Sequence, residues 1–117
     1  MKIEEYMNEV RRTRPDLGSD LNNQLHMAIG VATEGGELLD AYKKNFAYGK
    51  EVDKVNVAEE IGDSFWYLFN LCDLLNLDPE DIMRVNTAKL YERYPEKFTE
   101  EKAINRDLDK ERTILEK

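Results

Sequence analysis

The sequence predicts an all-α protein, and three features of it do so. Apolar residues recur in alternating steps of four and three along two long segments, which is the period of one helix face. Glycine and proline number only 6 and 3 in 117 residues, too few for a loop-rich β-protein. No two alternating segments are joined by a hairpin turn signal.

Each element can be justified in order. Ile3 to Thr13 reads as a short helix stopped by Pro15 and Gly18. Ser19 or Asp20 then caps a second helix running to Tyr48. Its stripe is Leu21, Leu25, Ala28, Ala32, Gly35, Leu39, Tyr42 and Phe46, the expected core face, and Gly49 ends it. Gly30, Gly35 and Gly36 inside this helix each cost about 1 kcal/mol against alanine, which points to close packing or a kink. A third helix spans Asp53 to Asn76, with the stripe Val57, Ile61, Phe65, Leu68, Cys72 and Leu75. Ten of the fifteen residues from Ile61 to Leu75 are apolar, so this helix needs more neighbours than one small chain offers. Asp78-Pro79-Glu80-Asp81 opens a fourth helix that runs to Pro95. Thr99 caps a last segment, Glu100 to Lys117, expected as one charged helix that docks on a partner subunit or frays. The expected domain organisation is a helical domain over 1–98 and a charged helical extension over 99–117.

Composition narrows the function classes. The formal charge is −8, which argues against a nucleic-acid binder driven by backbone phosphates. One cysteine and one histidine exclude zinc fingers, CxxC redox chemistry and an internal disulfide framework. No apolar run reaches the roughly 20 residues of a membrane span. The N-terminus is too charged for a secretory signal, so a cytoplasmic protein is expected.

Two pairs of carboxylates carry the chemistry. Glu34/Glu37 and Glu60/Asp63 are each spaced i, i+3, on one helix face. At about 100° per residue, both pairs fall on the same flank of their apolar stripes. Antiparallel packing along those stripes would bring the flanks around one cleft. The flanks also carry Met27, Gly30 and Ala41 on the second helix, and Tyr67, Leu71 and Leu74 on the third. Carboxylates among such residues need a neutralising charge. Hard oxygen ligands suit Mg²⁺ or Mn²⁺. On the fourth helix Asn86, Lys89 and Arg93 form a polar stripe able to grip phosphate oxygens, Arg93 in bidentate fashion and Lys89 as a point charge.

Taken together these residues resemble the MazG-like all-α nucleoside triphosphate pyrophosphohydrolases. Glu34-Gly-Gly-Glu37 is followed after 22 residues by Glu60-Ile-Gly-Asp63, matching that family's ExxE and ExxD blocks. The stretches Gly30 to Ala41, Glu59 to Asp63 and Asn86 to Pro95 carry the likeness, which covers Leu25 to Pro95. The resemblance implies a four-helix-bundle core completed as a homodimer or a dimer-of-dimers tetramer. It implies hydrolysis of a nucleoside triphosphate between the α- and β-phosphates, giving monophosphate and pyrophosphate. Glu34, Glu37, Glu60 and Asp63 would hold Mg²⁺, and Lys89 and Arg93 would bind phosphates with Asn86 assisting. Glu59 would stand behind the metal ligands or orient water, and Glu37 or Glu59 would accept its proton. Some members carry lysine where this chain has Asn56.

His26 lies one turn from the second-helix stripe and is a candidate base contact. Cys72, Trp66, Tyr67 and Phe69 read as core or interface residues. A di-iron carboxylate bundle wants Glu-x-x-His on two helices, which one histidine cannot supply. The alternative from another class is a non-catalytic helical dimer, a regulatory or assembly module.

Overall fold

The structure is a computed structural model that describes all 117 residues. It contains six helices and no strand: α1 (Ile3–Thr13), α2 (Asp20–Tyr48), α3 (Lys54–Leu74), α4 (Pro79–Arg93), α5 (Glu100–Ile104) and α6 (Leu108–Leu115). The fold is therefore all-α, as the periodicity predicts. Helix starts fall where the capping residues stand. The Ser19 hydroxyl accepts from the Asn22 amide. Asp53 accepts from the Val55 and Asn56 amides, and Asp78 from the Glu80 amide ahead of Pro79. Gly49 closes α2 in the left-handed conformation, φ 66°, where a Cβ is disfavoured.

The chain divides into two compact units, Met1–Leu77 and Asp78–Lys117. In the first, α2 and α3 form the main packed pair, and α1 lies on α3. The order of facing residues is reversed between α2 and α3: Gly30 meets Tyr67, while Glu37 meets Glu60. The pair is therefore antiparallel.

The face that packs is not the expected one. Buried residues of α2 are Met27, Gly30, Glu34 and Ala41, all on the flank that carries the acids. On α3 they are Glu60 and Asn70. The stripe expected as core is largely outward: Leu21, Leu25, Leu39, Tyr42 and Phe46 on α2, Ile61, Phe65 and Leu68 on α3, and Leu75 just after it, are exposed. The reason lies in side-chain size. Gly30 leaves room for the Tyr67 ring, which an added methyl group there would overlap. Gly30 thus admits Tyr67 on this flank, and the bulky stripe is left outward.

Polar bonds tie α1 to α3. Arg11 Nε donates to Asp73 at 2.9 Å and Arg14 Nη1 to the same carboxylate at 2.8 Å. Trp66 Nε1 donates to the Thr13 hydroxyl at 2.7 Å. Asn70, fully buried, donates to the Trp66 carbonyl.

In the second unit, α6 packs on α4. The final segment is thus not one helix. It breaks at Asn105–Asp107 because Asp107 caps a new start, accepting from the Lys110 amide. Within this unit α6 is tied to α4 by Glu111, which receives Arg93.

Candidate functional site

The antiparallel α2/α3 pair carries the acids inward. Glu34, Glu37 and Glu60 converge, one oxygen from each lying within 4.8 Å of the others. Glu34 and Glu60 are 9% and 6% exposed, and Oε2 of each is buried with no hydrogen-bond partner. Ionised carboxylates only accept hydrogen bonds, so each faces other acceptors. The Glu37 carboxyl is pushed above the usual carboxylate range, first by its hydrogen-bonding relation to Glu60 and then by the Glu60 charge. Glu60 is raised too, first by Glu34 and then by burial. Repulsion and unsatisfied buried oxygens are relieved together by a cation seated among the three groups. The donor set therefore fits a hard divalent ion.

Asp63, the fourth acid of the expected set, does not join that trio. It stands beside Glu34 on the wall of a cavity of about 450 Å³. The cavity is also lined by Tyr6 of α1 and by Trp66 and Tyr67 of α3. Burial, then the charge of Asp63, raises the Tyr6 phenol. α1 also walls this cavity, which the spacing of the acids on α2 and α3 does not indicate. The available signal was Tyr6, Met7 and Val10 on one short amphipathic face, but nothing in that pattern says which helix it covers. Trp66 and Tyr67, expected as core or interface, line this cavity, while Phe69 packs edge-on against Tyr6 and Phe65.

His26 is half-buried and packs edge-on against Tyr67 with ring centroids 5.9 Å apart. Its Nδ1 is buried without a partner. Glu59 is exposed and lines a second cavity, at the C-terminal end of α2, rather than the carboxylate trio.

In the second unit, Asn86 is exposed and Lys89 half-buried on α4. Arg93 is engaged side-on: Nε donates to Glu111 at 2.7 Å and Nη2 at 3.2 Å. Arg106 donates to the same carboxylate at 2.8 Å. These two guanidiniums hold the Glu111 carboxyl down at about 2. Glu111 as a partner for Arg93 is not legible in the spacing, because the two residues are 18 apart on different helices with α5 between them.

A scan of family models supplies the class. The MazG nucleotide pyrophosphohydrolase domain matches residues 22–98, the stretch that holds every acid of the site together with Asn86, Lys89 and Arg93. The chain belongs to this family of nucleotide pyrophosphohydrolases, in keeping with its all-α fold and acidic cluster. Neither the curated proteins nor the solved structures contain a significant match to it. No helix is long and apolar enough to cross a membrane.

Proposed function

We propose that this protein hydrolyses a nucleoside or deoxynucleoside triphosphate to the monophosphate and pyrophosphate, with Mg²⁺ as the cofactor and Mn²⁺ as a substitute. The observation that carries the reading is the convergence of Glu34, Glu37 and Glu60 with two buried, unsatisfied oxygens, in a chain of this family. The proposed site includes Asp63 as the fourth acid, adjoining Glu34. A bound Mg²⁺ supplies charge neutralisation for the polyphosphate and activation of water. Glu37, exposed and raised in proton affinity, is suited to take the proton of the attacking water. Glu59 orients that water. Asn86, Lys89 and Arg93 bind phosphate oxygens, and His26 contacts the base through the Tyr67 side of the site. The catalytic region is residues 1–98, with 99–117 as an extension. The role is nucleotide-pool control or housecleaning, in the cytoplasm.

A homodimer, or a dimer of dimers, completes the proposal. The outward stripes of α2 and α3 place large apolar residues on one surface of the first unit. A second copy of this chain covers that surface, since its like stripe is self-complementary.

The deciding experiment is a triphosphate panel assayed for pyrophosphate release with Mg²⁺, with Mn²⁺ and with chelator. Metal-dependent release, abolished in Glu60→Gln with helicity retained, is expected. A dimer that releases no pyrophosphate from any triphosphate would leave the regulatory or assembly module in its place. Lys89→Ala and Arg93→Ala separate the ion from the substrate. Each should keep metal binding and lose roughly ten- to a hundredfold in turnover, the worth of a charge-assisted contact. Unchanged kinetics in both would take Lys89 and Arg93 out of the substrate site and leave Arg93 as the structural partner of Glu111.

A further inference from the structure

The second unit holds a charged cluster drawn from three places in the chain. Arg93 ends α4, Arg106 lies in the break between α5 and α6, and Glu111 is on α6. Arg106 and Glu111 stand beyond residues 22–98, the stretch that the family domain covers. Residues five apart on a continuous helix point about 140° apart. The interruption at Asn105–Asp107 is therefore what lets Arg106 meet Glu111. Glu111 is 3% exposed and its carboxylate is fully engaged by cations. Oε1 accepts from Arg93 Nε at 2.7 Å, and Oε2 accepts from Arg93 Nη2 at 3.2 Å and from Arg106 Nη2 at 2.8 Å.

The contact occupies one edge of the Arg93 guanidinium and leaves its Nη1 edge free to donate elsewhere. Tyr94 packs against the same group, with its ring centroid 5.6 Å from Cζ. An arginine at a helix end otherwise samples many rotamers and loses that freedom on binding; Arg93 has lost it in the fold. Two features separate the cluster from a plain structural ion pair. A single Arg–Glu pair is neutral and draws no anion, whereas here two guanidiniums face one carboxylate. The cluster keeps a net positive charge in a chain whose formal charge is −8. Lys89, one turn before Arg93 on the same face, adds to it. Nor is Glu111 placed to be displaced by an incoming anion. It is buried, and α6 is tied to α4 a second time by Lys110 and Glu92 at 3.1 Å.

We propose that Glu111 is a positioning residue for the hydrolase. It holds Arg93 by one edge while Arg106 offsets its charge, so that the Nη1 edge is kept for a phosphate oxygen of the triphosphate. The inference rests on the reading of Arg93 as a phosphate ligand above. It gives the extension after residue 98 a part in substrate binding, exerted through Arg93.

The test is calorimetric titration of the full chain with magnesium tripolyphosphate, which carries no base, beside the pyrophosphate-release assay. Glu111→Asp keeps the charge and shortens the reach, so it separates geometry from electrostatics. Affinity is expected to fall about three- to tenfold at unchanged stoichiometry, the cost of ordering one long side chain on binding, and the triphosphate KM should rise with it. In an Arg93→Ala background the same substitution should have no further effect. Arg106→Ala leaves the Arg93–Glu111 bonds in place and removes a partly exposed cation, and it should weaken binding about two- to fivefold. If Glu111→Asp does not fold, Arg106→Ala decides alone, and wild-type affinity there overturns the proposal. A lower stoichiometry with wild-type Kd in Glu111→Asp means that Glu111 only fastens α6 to α4, and overturns the positioning role. Tighter binding overturns it too, since the carboxylate then competes with phosphate for Arg93. Wild-type affinity and KM in both variants overturn it and leave the hydrolase reading standing. A wild-type protein that releases no pyrophosphate from any triphosphate overturns the hydrolase reading and this role with it.

Discussion

Glu60 and Glu37 hold their protons more tightly in the fold than in an unfolded chain, because carboxylates crowd one another in a partly dry cleft. The sign of the linkage follows. Their contribution to stability is most favourable below the ordinary carboxylate value, near 4.3, and is lost as pH rises through their raised folded values. At neutral pH the metal-free cluster is a burden that a divalent cation lifts. Glu60→Gln should therefore raise the melting temperature of the metal-free protein at pH 7 while abolishing its stabilisation by Mg²⁺. A variant that melts lower, with Mg²⁺ still protective, would take Glu60 out of the site. Glu111 behaves in the opposite sense. Its carboxyl is held at about 2 by Arg93 and Arg106, so the cluster stabilises fully above the ordinary value and weakens as pH falls toward 2. Melting curves at pH 7, 5 and 3 should show an acid limb that is flatter in Glu111→Gln. At this scale the spacing of the acids identified three residues that meet, Glu34, Glu37 and Glu60. It did not place Asp63 on the neighbouring wall, because a spacing gives an angle about one helix and not the reach of a side chain across two.

Among the helices, legibility depended on whether the signal was local. Ser19, Asp53 and Asp78 accept from amides two or three residues on, and Gly49 turns its own backbone, so those ends were readable from the chain alone. The Asn105–Asp107 break was not, although Asp107 is itself a good cap. Its choice as a start is reinforced by Glu111, one turn along α6, which receives Arg93 of α4. The glycines of α2 separate in the same way. Gly30 carries the Tyr67 ring, whereas nothing lies within 4 Å of a methyl group placed at Gly36. Gly30→Ala should cost about 1–3 kcal/mol by overpacking. Gly36→Ala should stabilise by about 0.5–1 kcal/mol, because it restricts the unfolded chain and suits the helix. Denaturant midpoints of the two variants measured side by side check this; movement in the same direction would refute the Gly30–Tyr67 contact.

For the molecule as a whole, the outward apolar stripes carry the prediction. Phe65 is 51% exposed and Leu25 53%, on the two helices that also hold the acids. If a second copy covers them, light scattering at micromolar concentration should return at least twice 13.7 kDa. Phe65→Glu should shift the protein toward monomer, since a charge at a buried apolar interface is left without a partner. A wild-type monomer would overturn the homodimer, since nothing within the chain covers the stripe.

Helix content, helix starts and the paired acids were settled by residues within a few positions of one another, where capping and 3.6-residue periodicity operate without knowledge of the rest of the chain. Which stripe would lie inside was settled only by packing. Periodicity marks the leucine-rich face of α2 as the core, yet α2 meets α3 on the flank where Gly30 admits the Tyr67 ring and Ala41 is buried. That rotation turned the acid flank inward, left Glu34 and Glu60 with unsatisfied oxygens, and left two separate cavities, one walled in part by α1 and the other at the C-terminal end of α2. Burial is decided by how neighbouring helices turn about their axes, and that turn depends on the bulk of residues far apart in sequence.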